Sequence, residues 1–262
     1  MYMADFILAR KSRNIASSAV HVFLNILLGI GAVLITVFSA SPLLGILLVL
    51  MSKWRIFAVR RRYIWLNFKS NLVDLIVGIS IVILAYYAGH SLLPVDFVLM
   101  AIYVGWLLFL KPQSSERATL TQSLVAVFLG ISASTVMTAS LDPVFAVLIA
   151  FLVGYAASRH VLAQTNSKDF TLTTLVCGLV FAEIAWLCDS WEIIYTFGNT
   201  GIRIPQVAII LTIFAFIYNY ARQAMIRYQE DFRFKDIIGP VLFGVVLVGI
   251  IVICFSNPIF NI

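Results

Sequence analysis

Lys53-Trp-Arg-Ile-Phe-Ala-Val-Arg-Arg-Arg-Tyr-Ile-Trp-Leu-Asn-Phe-Lys69 decides how this chain is read. The segment carries six basic residues and no acid, with Trp54, Phe57, Tyr63, Trp65 and Phe68 set among them. Apolar runs flank it, over 43–54 and 71–89. Aromatic rings settle at the headgroup level of a bilayer and basic side chains pair with lipid phosphates. The segment is therefore expected at a membrane interface. Lys53, Trp54, Arg55, Arg60, Arg61, Arg62 and Trp65 are the candidate contacts to anionic headgroups or to a phosphate-bearing substrate.

Working outward, the same alternation of apolar run and basic connection recurs along the chain. Hydrophobic residues make up 62% of the 262 and charged ones 11%, well below the roughly 25% charged of a soluble domain. A spanning helix needs about 20 mostly apolar residues. Apolar runs fall at 19–39, 43–54, 71–89, 95–111, 118–138, 143–158, 171–188, 205–222 and 237–256. The expected architecture is all-α, a polytopic transmembrane bundle of about nine spans forming a single integral membrane domain over 1–262. If each run crosses, every Lys and Arg except Arg203 falls on one side. The positive-inside rule then puts the N-terminus in the cytoplasm and the C-terminus outside, in a multi-pass cell-membrane protein. Arg10, Lys11 and Arg13 precede a run too long for a signal peptide, so it is read as an uncleaved first helix. The short run after Ser41-Pro42 crosses as a tilted helix or turns back as a re-entrant hairpin.

Chemistry-bearing signals are sparse. Cys177, Cys188 and Cys254 all lie in apolar runs and form no CxxC pair, so no disulfide framework or redox compartment is readable. His90, Asp96, Asp142, Asp189 and Glu192 gather on the expected outer side without metal-ligand spacing. No metal and no cofactor is expected, and no nucleic acid, because the basic residues already have a membrane role. Two intramembrane carboxylates are candidates. Glu183 lies three residues past the midpoint of its run, where an ionisable group is costly. It is expected to hold a hydrogen bond between helices or to carry a proton. Asp74 lies one turn into its run, with Lys69 and Arg60–Arg62 as the cations near in sequence.

Small residues recur every four positions in two consecutive runs: Ala126, Gly130, Ser134 and Thr138, then Ala146, Ala150, Gly154 and Ser158. Such stripes let helices approach closely in lipid, and a tight antiparallel pair with facing stripes is expected. Ser132, Ser134, Thr135 and Thr138 are also candidates to line a polar path. These signals leave three function classes. A non-enzymatic scaffold or assembly component, with a membrane-protein partner, leads because no catalytic constellation is present. A small secondary transporter with Glu183 as proton site comes next. A lipid-modifying enzyme holding a headgroup on the 53–69 segment is third.

Overall fold

The computed structural model describes residues 2–39, 41–54, 58, 60–89, 91–139, 141–163, 170–190, 193–228 and 233–255, with backbone alone over 2–17, at 226–227 and at 236. Arg55, His90 and Glu192 lie outside the described residues. The helices are α1 (Tyr2–Ser39), α2 (Pro42–Ser52), α3 (Arg61–Ser70), α4 (Leu72–Ala88), α5 (Pro94–Gly105), α6 (Glu116–Thr138), α7 (Pro143–Leu162), α8 (Phe170–Asp189), α9 (Gln206–Tyr228) and α10 (Lys235–Cys254). A π-helical turn, Trp106–Leu110, continues α5.

The starts of these helices follow from local chemistry. Ser41 and Asp142 accept the backbone N–H two residues on, and Pro follows each at the first helical position, where its missing N–H costs nothing. Ser115 caps α6 in the same way through Ala118 N. Asp96 folds back to accept the backbone N–H of Leu93 at the start of α5. Two of the expected outer acids, Asp96 and Asp142, are thus occupied in capping.

Among the described residues, six helices are long and apolar enough to cross a membrane: Ser18–Ser39 of α1, then α6, α7, α8, α10 and Gln206–Met225 of α9. The pair α3–α4 makes a seventh if counted as one bent span, with 63° between its halves. The expected span over 43–54 is the 11-residue α2. At 1.5 Å per residue it reaches about 16 Å, roughly half of the hydrocarbon core. The expected span over 95–111 is also short, covering Pro94–Leu110. The 53–69 segment, read from sequence as a connection, contains the helix α3, which buries none of its residues.

Contacts sort the helix ends into two sets. At one end, Lys53 after α2 and Lys111 after the π turn both pair with Asp74 in the first turn of α4. Gln122 of α6 donates to the carbonyls of Leu110 and Gln113, and His160 of α7 bonds to Gln122. Arg159 lies over the Phe170 ring at the start of α8, and Tyr218 of α9 donates to the Thr173 carbonyl. At the other end is a short antiparallel hairpin, β1 (Ile194–Thr196) and β2 (Arg203–Pro205), with Tyr195 opposite Ile204. A Cβ at Gly201, where φ is +78°, would lie 2.9 Å from both Leu93 and Val95. The hairpin turn therefore closes down on the start of α5, and only glycine fits there. Tyr195 donates to the Phe255 carbonyl after α10 and accepts from Gln206, and burial pushes its phenol above its ordinary range.

Among the described residues, two cores fill the bundle. One joins α1, α2, α4 and α5 around Val33, Val49, Val77, Ile81 and Tyr103. The other joins α6, α7, α8 and α9 around Val127, Val153, Phe181 and Leu211. Helices α4 and α6 stand back to back between them, with Ile76 and Phe128 packing against both cores.

Candidate functional site

The densest polar structure forms around Asp74. Its side chain is buried, 10% exposed, at the point where α2, α4 and the π turn meet. Lys53, equally buried, and Lys111 both bond to Oδ2, the latter at 2.8 Å. The indole N–H of Trp106 donates to Oδ1 at 2.9 Å. Each element supplies its partner for a local reason. Lys53 caps the C-terminus of α2, where a cation also meets the negative end of the helix dipole. The π turn inserts an extra residue into its helix, and Trp106 at its start and Lys111 at its end both reach Asp74. The cations close to Asp74 in sequence, Lys69 and Arg60–Arg62, are not the ones that hold it. The pairing is tertiary, between segments 21 and 32 residues away.

This cluster opens on a groove of about 720 Å³ between α1, α2 and the end of the π turn. Lys53, Lys111, Ser52, His21 and Asn25 lie at its polar mouth, and Leu28, Gly31, Ile35 and Leu48 continue it along α1. Behind the cluster, Gln122 spends both ends of its amide on protein groups: two carbonyls at the turn after α5, and His160 at 2.6 Å.

Of the candidate headgroup contacts, Lys53 is buried in the ion cluster, whereas Trp54, Arg60, Arg61, Arg62 and Trp65 are exposed. On α3, Trp65 stacks on Phe68 with ring centres 5.9 Å apart, Lys69 lies over Trp65, and Arg62 over Tyr63. These cation–π contacts organise the outer face of the helix.

Glu183 is exposed on α8. It belongs to a stripe of Leu172, Val176, Leu179, Glu183 and Trp186, spaced alternately four and three residues apart, whose apolar members are 47–65% exposed. The opposite face of α8 carries Thr174, Cys177, Gly178 and Phe181 into the core.

The two small-residue stripes face one another only in part. Gly130 of α6 accommodates Ile76 of α4 and Val153 of α7. Gly154 of α7 instead accommodates Phe181 of α8, while Gly178 of α8 accommodates Phe151 of α7. A glycine lies under a phenylalanine in each direction, so α7 and α8 form the closest pair. The small size of Gly154 serves a large residue on the next helix, which spacing alone does not show. At the hairpin end the stripes do meet, around a cavity of about 200 Å³ lined by Ser134, Thr135, Thr138, Ala146, Ala150 and Asp189. Ala126 and Ser158 are buried in the helix contacts, and Ser132 lies outside this cavity, in an apolar one beneath the hairpin. Among the described residues, no group of three His, Cys, Asp or Glu is placed to hold a metal ion.

Comparison with protein-family models, with curated proteins and with solved structures gives no match.

Proposed function

We propose that this chain is a non-enzymatic assembly component of a membrane, docking a transmembrane helix of another protein along the exposed stripe of α8. One observation carries the reading. Leu172, Val176, Leu179, Glu183 and Trp186 form a seam with the 4–3 spacing of interlocking helices, and a carboxylate sits within it. Lipid satisfies the apolar members of the seam but not Glu183, because an ionisable group facing hydrocarbon is costly. A partner helix bearing Lys, Arg or an amide opposite Glu183 supplies that missing bond and fixes the register. The same reading puts the end that bears Lys53, Lys111 and α3 on the cytoplasmic side, in keeping with its basic residues.

Photocrosslinkers at Val176 and Leu179, in cell membranes, test it, with the still more exposed Phe243 of α10 as control. The expected result is one protein adduct from α8 and none from Phe243. The adduct should be lost in Glu183→Leu and regained when the facing partner residue is exchanged for an apolar one. An adduct with a second copy of this chain would replace the partner by self-association. Lipid adducts alone at both sites would end the proposal.

A second reading, a small secondary transporter, draws on the cavity beside Ser134, Thr135 and Thr138, where the Ser134 hydroxyl is buried without a hydrogen-bond partner. In that case Glu183→Gln abolishes pH-driven flux in proteoliposomes while expression holds. Unchanged flux removes Glu183 as the proton site.

A further inference from the structure

The Asp74 cluster contains two ammonium groups and one carboxylate. Lys53 is enclosed and Asp74 neutralises it at close range. Lys111 keeps 40% of its side chain exposed, and its charge is the surplus. That surplus lies at the mouth of the groove along α1, beside His21, Asn25 and Ser52. Deeper in, the groove walls become Leu28, Gly31, Ile35 and Leu48. From His21 to Ile35 it runs about 20 Å along the helix, enough to cover one leaflet of roughly 15 Å. A polar, net-positive mouth at one end of an apolar channel of that length matches an amphiphile with an anionic head.

We infer that this groove binds an anionic lipid, with its phosphate on Lys111 and the polar rim and one acyl chain laid along α1. Charge complementarity selects the head. The apolar walls select a lipid over a free anion, which would use the mouth and leave the channel empty. Lys53 and Trp106 act as positioning residues, since they hold Asp74 so that Lys111 stays at the rim. The site differs from the exposed basic face of α3, where Arg60, Arg61 and Arg62 lie against no cavity wall described for the groove. It rests on different residues from the α8 seam and stands or falls apart from it.

The test is thermal unfolding of the full chain in a mild detergent, with added dioleoyl phosphatidylglycerol, dioleoyl phosphatidylcholine or inorganic phosphate. Phosphatidylglycerol should raise the midpoint, and the other two should not. Lys111→Gln keeps the Lys53–Asp74 pair and should weaken the apparent lipid affinity about tenfold, the scale of one charge-assisted contact. A Cβ on Gly31 meets only Leu48, at 3.8 Å, so Gly31→Phe should fold with the channel filled and lose the effect while keeping both lysines. Replacing Arg60, Arg61 and Arg62 together by Gln should leave the effect intact. Equal protection by phosphatidylcholine overturns the inference, as does equal protection by phosphate. A response abolished by the α3 triple variant and untouched by Lys111→Gln and Gly31→Phe overturns it too, and moves the contact to α3. If either groove variant fails to fold, the contrast between the two lipids, read on the native chain and on the α3 triple variant, still decides.

Discussion

The indole N–H of Trp106 bonds to one oxygen of the Asp74 carboxylate and leaves the other oxygen to two lysines. Three elements that are distant in sequence are therefore held by one side chain. A buried carboxylate is tolerated only when charge and hydrogen bonds compensate its desolvation, and here the bonds come from the end of α2 and from the two ends of the π turn.

Asp74→Asn should therefore destabilise the bundle by about 3 kcal/mol, the low end for breaking a buried pair. The low end applies because Lys111 can turn to solvent, whereas Lys53 is left enclosed. The double variant Asp74→Leu with Lys53→Met should recover most of the loss, since it removes both buried charges. Thermal unfolding in detergent measures both, and equal loss in the single and double variants would show that the pair does not set stability.

Gly154→Ala should cost about 1–3 kcal/mol, as overpacked contacts do. The added Cβ would stand 2.5 Å from the Phe181 ring. Gly249→Ala in α10 meets nothing within 4 Å and should be neutral or slightly stabilising through helix propensity. If the two variants unfold alike, α7 and α8 are not packed as described.

Gln122→Ala removes the side chain that joins the turn after α5 to His160. Leaving two carbonyls and the imidazole without it should cost about 1–3 kcal/mol. Hydrogen exchange should rise at the π turn and at the end of α7, far from the hairpin. Exchange that rises equally at both ends of the bundle would contradict a local role.

Single cysteines at Lys69, Arg117 and Thr200, in a chain freed of Cys177, Cys188 and Cys254, test the orientation. Lys69 and Arg117 should react with an impermeant maleimide only after the membrane is opened, and Thr200 should react in intact cells. The reverse pattern would invert the cytoplasmic assignment.

Residue composition alone was enough for the class of this protein. Helices as apolar as Ile237–Cys254, with mean hydropathy 3.0, are costly to keep in water, and their period and caps are local properties. The 53–69 segment is expected at the interface on the same kind of local ground, because aromatic and basic residues interleaved without acids have one low-energy place at a bilayer. That part of it folds as α3 was not read, since the bend of 63° against α4 is settled where the two helices meet. Span number was harder to read. An apolar run reports that a segment avoids water and not that it crosses: α2 has 11 residues, buries only Gly45 and Val49 against its neighbours and leaves Leu43, Leu44, Leu47 and Met51 exposed.

Partners were beyond the sequence. Asp74 had basic neighbours at short range and uses Lys53 and Lys111 instead; Lys111 ends one apolar run at the depth where Asp74 begins another, and only the antiparallel packing of α4 and α5 brings them together. Gly154 belonged to a visible stripe, yet its complement is Phe181 on the following helix. Glu183 was visible as a carboxylate in an apolar run, but whether it points to the core or away from it depends on the rotation of α8 about its axis. Sequence determined what each segment must avoid, which is a property of single side chains and their solvent. Tertiary structure decided which side chains meet, because charge pairing and close packing depend on distances that only the assembled bundle sets.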